Sequence, residues 1–177
     1  MIQTADVVIV GAGIIGGSVA FHLLERDPRL RVVMLEKEAL PGTGATSKAT
    51  GGVRFQFSTE ANVRLTQLSY RYFTHDREIL GCSVDFIRHG YLFVTTSEDT
   101  LEQGRRSVGL QRGLGVASEV LTPAQIQTHL APLVTDDLVG GTFCADEGSA
   151  DPYSMLLGFL SVAKGRGLRL LTDHAVT

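Results

Sequence analysis

The sequence predicts an α/β fold interrupted by a smaller α+β block, on the strength of three observations. Residues 6–36 pass through strand, glycine turn, helix and strand in one short stretch. The segment 41–54, PGTGATSKATGGVR, has almost no large apolar side chain, where a regular alternation would place the next helix and strand. From 84 to 95 the apolar period shifts to that of strands, and helix–strand alternation returns only after about residue 141. The divisions fall at 1–83, 84–140 and 141–177, with the last stretch rejoining the sheet begun by the first.

DVVIV at 6–10 is a continuous β-branched run, as expected of a strand buried on both faces of a parallel sheet. Gly11-Ala12-Gly13-Ile14-Ile15-Gly16 follows at once, and a helix runs from about Ile14 to Arg26 with Ile15, Val19 and Leu23 on one face. Asp27-Pro28 stops it, because the residue before proline is pushed out of the helical region. RVVML at 31–35 is a second buried strand ending at Glu36, joined to the first by a right-handed crossover. A helix is predicted over Thr59 to Leu80, with Ser58 as N-cap, Glu60 in its first turn, and Leu65, Leu68, Tyr72 and Ile79 as a buried stripe.

VDFIR and YLFVTT then flank His89-Gly90 as an antiparallel hairpin. A polar helix at about 98–112 and a strand near 118–121 follow. Thr122-Pro123-Ala124-Gln125 is a capping box with proline at the first helical position, so a short helix starts there. After a strand at 138–144, Asp151-Pro152 opens a helix to about Lys164 that turns Met155, Leu156, Phe159, Leu160 and Ala163 inward. Gly165 and Gly167 close it, and LRLLT at 168–172 is the last strand.

Composition narrows the function classes. With 44% hydrophobic and 20% charged residues and a net charge of −3, the chain can bury one good core. It has no Lys/Arg block that would give an electrostatic reason for nucleic acid or an anionic membrane. No apolar run approaches the roughly 20 residues of a membrane helix, and Met1 to Asp6 lacks the basic start of a signal peptide. Cys82 and Cys144 have no partner spacing and read as free buried thiols of a reducing cytoplasm. The five histidines are scattered, so no metal site is expected.

The glycine hexapeptide gains weight from its context of strand before, helix after, and an acidic residue further on. Gly11 allows the tight turn, Gly13 lets backbone approach a pyrophosphate, and Gly16 lets helix and strand pack closely. The helix N-terminus offers unpaired N–H groups and partial positive charge to phosphates. Glu36, twenty residues beyond Gly16, can accept from ribose hydroxyls, and its charge disfavours a 2′-phosphate. Ala20 keeps the helix surface small where it crosses the sheet. NAD and FAD share the ADP half that this motif recognises. The 41–54 loop favours the longer cofactor, since Thr46, Ser47 and Thr50 can hydrogen-bond to it and Lys48 can neutralise phosphate; the alternative is a flexible surface loop.

Four separated segments in order add to that reading: VVIVGAGIIGGSVAFHL with LEKE, GATSKATGGVRFQFSTEANVRL, RHGYLFV, and DEGSADPYSMLLGF with AKGRG. Through them the chain resembles the D-amino-acid oxidase-like FAD-dependent oxidoreductases, and is most similar to the sarcosine oxidase and L-proline dehydrogenase β-subunit group. The resemblance implies a Rossmann-like FAD-binding domain of the glutathione-reductase type, interrupted by a partial α+β substrate domain. It implies a flavin enzyme that oxidises the C–N bond of an amino acid or N-methyl amine by hydride transfer to flavin N5.

Carried over residue by residue, it places Gly11, Gly13, Ile15, Gly16, Glu36 and Lys37 at the ADP half. Thr46, Ser47, Lys48, Gly52 and Val53 would lie beside pyrophosphate and flavin, and Val176, in the late strand, would meet the adenine. The early loop has no histidine near Thr46–Ala49 of the kind that attaches flavin in some relatives, so non-covalent FAD is expected. Relatives continue for about as long again, so the chain reads as an N-terminal half or a truncated gene product. A partner subunit or homo-oligomer remains open.

Arg54 is the charged residue singled out as catalytic, able to hold a substrate carboxylate or sit over the flavin; the alternative is an arginine paired to a nearby carboxylate or to solvent. Gln56 and Tyr91 are further candidates, and no general base is identified. Two other functions compete: a non-catalytic FAD-binding or assembly subunit, and an FAD-dependent 2-hydroxy-acid dehydrogenase.

Overall fold

In the computed structural model, which describes residues 4–177, the elements follow in chain order. They are β1 (Val7–Val10), α1 (Ile14–Arg26), β2 (Val32–Leu35), β3 (Gly52–Val53), α2 (Glu60–Thr74), α3 (Asp76–Leu80) and β4 (Tyr91–Thr95). Then come α4 (Glu98–Gly113), β5 (Ser118–Leu121), α5 (Pro123–His129), β6 (Gly140–Cys144), β7 (Gly148–Ser149), α6 (Pro152–Gly165) and β8 (Arg169–Leu171). The chain divides into two units. One comprises the residues up to Gly51 with Tyr72–Phe86 and Ala150–Thr177; the other comprises Gly52–Arg71 and Ile87–Ser149.

The first unit is built on a parallel sheet in the order β1-β2-β8, with Val7 opposite Val32 and Met34 opposite Leu170. The late strand therefore does rejoin the early sheet. Parallel strands need crossovers, and α1 and α6 supply them while packing on the same face. Ile9, Ala20, Leu24, Val32, Met34, Leu156, Leu160 and Ala163 form the core there. Small residues let the helices close up: a Cβ at Gly17 would stand 2.9 Å from Leu156 Cδ1. A second cluster joins Phe21, Tyr72, Leu80, Val84, Met155 and Phe159. The five α6 residues predicted to face inward are all buried. Asp151 caps α6 by accepting from the N–H groups of Tyr153 and Ser154, and the Ser154 hydroxyl, then the Tyr153 N–H, hold its carboxyl below the usual range.

Two expectations for this unit are corrected. β1 is not buried on both faces: Val8 and Val10 are 54% and 66% exposed, because both crossover helices lie on the opposite side. On α1, Ile15 and Val19 are exposed, and the buried stripe is Gly17, Ala20, Phe21 and Leu24, one step round the helix.

The second unit is antiparallel. β6 lies between β4 and β5, with Phe93 opposite Thr142 and Val120 opposite Thr142 on the other edge, and β3 pairs with β7. Helix α4 covers this sheet, capped by Ser97, and α5 opens with the predicted capping box at Thr122 and Gln125. Its core holds Phe55, Val63, Val116 and Cys144.

The predicted hairpin does not form. Only Tyr91–Thr95 is a strand, pairing with β6, while Ile87 bridges to Ser149; both halves pair with the 140–149 region instead of each other. The predicted long helix is two helices, broken at His75, whose backbone leaves the helical region. It starts at Glu60, so Thr59 and not Ser58 stands at its boundary. Leu65 and Leu68 are exposed. The face turned inward carries Val63, Gln67 and Tyr70, with Gln67 donating to Leu114 O and the Tyr70 hydroxyl to Asp146 O. Cys144 is buried and Cys82 partly so, and both are free. No helix among the described residues is long and apolar enough to cross a membrane, and they hold no cluster of metal-ligating side chains.

Candidate functional site

The glycine turn between β1 and α1 is shaped by contacts that leave little choice of residue. Gly11 has φ +95°, a conformation that strains any side chain, and its N–H donates to Leu35 O. A Cβ on Gly16 would lie 2.1 Å from Gly11 O and 3.4 Å from Ile9 Cγ2, so the helix can approach the strand only without one. Gly13 differs: a Cβ there would meet only Thr46 Oγ1, at 3.3 Å. Its bare side faces a cradle and not the core. That is the arrangement a pyrophosphate approaching backbone requires.

The first turn of α1 presents the N–H groups of Ile14, Ile15 and Gly16 before the first internal bond, Gly17 N–H to Gly13 O. Gly13 supplies no side-chain cap, and the buried Thr46 hydroxyl accepts from the Ile14 N–H at 3.0 Å. Thr46 thus reaches from the early loop to the turn. Ser47 and Lys48 follow it in a series of tight turns, with both side chains exposed.

Glu36 is 9% exposed. Its carboxylate accepts from the Ala12 N–H at 2.7 Å and the Glu38 N–H at 3.1 Å. The Glu38 and then the Ala12 N–H pull its pKa below the usual range against desolvation, so the group is a charged acceptor. Lys37 turns its ammonium to Glu38 at 3.4 Å. Val176 lies beyond β8 in irregular chain, correcting its placement in a strand. The segment preceding it runs along the Glu36 strand end, with Asp173 N–H on Glu38 O and His174 N–H on Glu36 O. The first unit therefore gathers Gly11, Gly13, Gly16, Glu36 and Thr46 around one turn, with Ile15 on its exposed rim.

Gly52 and Val53 belong to the second unit, paired with Ser149 and Gly148. Arg54 follows, exposed, its guanidinium carbon 5.5 Å from the Tyr91 ring centre and 5.8 Å from that of Phe93. No carboxylate lies within ion-pair distance of it among the described residues. A cation parked on aromatic faces and lacking a carboxylate partner can engage an anionic ligand.

Sequence reasoning missed Glu147. It is fully buried, and its Oε1 accepts from the Phe55 and Gln56 N–H groups while Oε2 accepts from Gln56 Nε2 at 2.7 Å. Gln56 Nε2 also donates to Tyr91 O at 2.9 Å. Burial pushes the Glu147 pKa up, against these donors and the charge of Arg54. The partners of its carboxyl lie more than ninety residues away in sequence, and an acidic residue beside a turn reads as solvated, so no local signal marks it. The same unit has a cleft of about 270 Å³ lined by Phe93, Leu101, Val108, Gln111 and Thr142 among others; no charged side chain lines it, so it offers no acid–base chemistry.

The chain matches the model of the FAD dependent oxidoreductase (DAO) family over residues 6–177. It is similar to human mitochondrial sarcosine dehydrogenase, 29% identical over 99% of this chain and 19% of that protein. It is 28% identical to glycine oxidase of Geobacillus kaustophilus over 98% of this chain and 48% of the relative. Among solved structures, L-proline dehydrogenase from P. horikoshii superposes with a TM-score of 0.89 at 28% identity, covering 100% of this chain and 46% of that one. The chain thus spans less than half the length of these relatives. The matched length, the glycine cradle and the buried, charged Glu36 agree: the chain belongs to the FAD dependent oxidoreductase family.

Proposed function

We propose that the chain is the cofactor-binding part of an enzyme that oxidises the C–N bond of an amino acid or N-methyl amine. The observation that carries this reading beyond the family is Arg54, an exposed guanidinium held on Tyr91 and Phe93 with no carboxylate partner among the described residues. Three relatives named above are a sarcosine dehydrogenase, a glycine oxidase and an L-proline dehydrogenase, enzymes named for substrates that pair an amine with a carboxylate.

In this reading the first unit binds the ADP half of FAD. Glu36 accepts from the ribose hydroxyls, the open Gly13 side and the N–H groups of Ile15 and Gly16 receive pyrophosphate, and Thr46, Ser47 and Lys48 line it. Ile15 and Lys37 flank the ADP half, Val176 meets the adenine, and Gly52 and Val53 contact the flavin portion. With no histidine in the Thr46–Ala49 stretch, this segment makes no covalent tie to the flavin. The second unit supplies Arg54 to hold the substrate carboxylate, orienting the donor carbon. FAD held there would supply the hydride-accepting chemistry.

The test is anaerobic mixing of the FAD-loaded protein with sarcosine, glycine, L-proline and a 2-hydroxy acid. Bleaching of the flavin band by an amino acid and its loss in Arg54→Ala supports the proposal. Bleaching by the hydroxy acid alone refutes it. A second reading, a non-catalytic subunit, is favoured by one relative: the mouse mitochondrial pyruvate dehydrogenase phosphatase regulatory subunit, 25% identical over 97% of this chain. It predicts a flavin spectrum that no donor bleaches.

A further inference from the structure

We propose that Glu147 is a positioning residue for Arg54, its carboxyl oxygens fixing the backbone from which the guanidinium projects. The inference rests on the reading that Arg54 meets a substrate carboxylate. Arg54 stands in irregular chain just after β3, a place where backbone has several conformations open to it. The two N–H groups that follow it, on Phe55 and Gln56, both donate to one oxygen of Glu147. The second oxygen takes the Gln56 amide, which is in turn held by Tyr91 O. Tyr91 is also the ring on which Arg54 rests, so one carboxylate sets the chain before the guanidinium's platform and the platform's own strand. Every partner of the Glu147 carboxyl oxygens is a donor, so its part in the tie is that of an acceptor. Burying a carboxyl group this fully is costly, and its bonds to the Phe55 and Gln56 N–H groups and the Gln56 amide offset that cost. The buried carboxyl has a use in the tie it makes.

A simple counter-charge role makes the opposite prediction. A buried anion near Arg54 weakens the attraction of that arginine for a ligand carboxylate, so removing it would tighten binding, equally for any neutral replacement. Positioning predicts weaker binding, graded by how much of the tie survives. Glutamine keeps an oxygen for the two backbone N–H groups but sets its own NH₂ against that of Gln56; alanine keeps nothing.

The experiment uses the full chain loaded with FAD, titrated with acetate and followed by perturbation of the visible flavin spectrum, with FAD affinity measured alongside. We expect acetate binding to weaken about tenfold in Glu147→Gln and further in Glu147→Ala. FAD affinity stays within about twofold, and amide exchange at Phe55 and Gln56 quickens in Glu147→Ala. Should the alanine variant fail to fold, the glutamine variant decides alone. Equal or tighter acetate binding in Glu147→Gln overturns the proposal. So does unchanged exchange at Phe55 and Gln56 in Glu147→Ala. A wild-type protein that holds FAD but shows no acetate response refutes the reading of Arg54 instead, while its exchange rates still report whether the tie exists.

Discussion

Two buried carboxylates respond to their surroundings in opposite directions, and the difference separates their contributions to stability. The Glu36 pKa is depressed chiefly by the Glu38 and Ala12 N–H groups. Its contribution is fully present above the ordinary carboxylate range and is lost as pH falls through the depressed folded value. Glu147 is raised chiefly by desolvation, so its contribution is present in acid and is lost as pH rises through the raised folded value. Glu36→Gln should therefore flatten the acid limb of a urea-midpoint against pH profile, and Glu147→Gln should flatten a loss on the alkaline side of the carboxylate range. Glu36→Gln should also weaken FAD by about 1.5–3 kcal/mol, the worth of a hydrogen bond to a charged group. Glu147→Ala leaves the Phe55 and Gln56 N–H groups without their acceptor and should cost about 2–5 kcal/mol in denaturant unfolding, with Glu147→Gln costing less.

Elements in this chain were legible where their constraints are local. The Gly11–Gly16 turn, the Thr122 capping box and the Asp151-Pro152 start all appear where the sequence puts them, because each depends on residues within a few positions. The predicted stripe held at Tyr72, which is buried, and failed at Leu65 and Leu68 for the complementary reason. Periodicity shows that Leu65 and Leu68 share a face; it does not show which face is covered, and Gln67 and Tyr70 fix that through Leu114 and Asp146. The hairpin failed similarly, since the partner of Tyr91–Thr95 lies about fifty residues downstream. In the candidate site, the glycines and Glu36 could be read from spacing, but the Thr46–Ile14 bond and the bonds of the Glu147 carboxyl are long-range. At this scale the sharpest variant is Gly16→Ala, whose methyl would lie 2.1 Å from Gly11 O. It should cost about 3 kcal/mol or more by thermal unfolding, whereas Asp151→Ala, losing a cap, should cost about 1 kcal/mol.

For the molecule, the arrangement of the first unit has a consequence for solution behaviour. Val8 and Val10 share the uncovered face of the parallel sheet with the part-buried Val33 and Leu35. A contiguous apolar surface of this kind promotes association. The 177-residue chain should self-associate in sedimentation velocity, and Val8→Thr with Val10→Thr should shift it toward monomer without a change in circular dichroism. A wild-type chain monomeric at high concentration would contradict this. The central claim, that the turn between β1 and α1 receives the pyrophosphate of FAD, has a direct test in Gly13→Leu. The leucine would project into the cradle, past a site where a Cβ meets only Thr46 Oγ1. Titration of FAD into both proteins, followed by quenching of flavin fluorescence, should give saturable binding to the wild type and none to Gly13→Leu at equal folded content. Equal FAD affinity in the two, or none in the wild type, would contradict it.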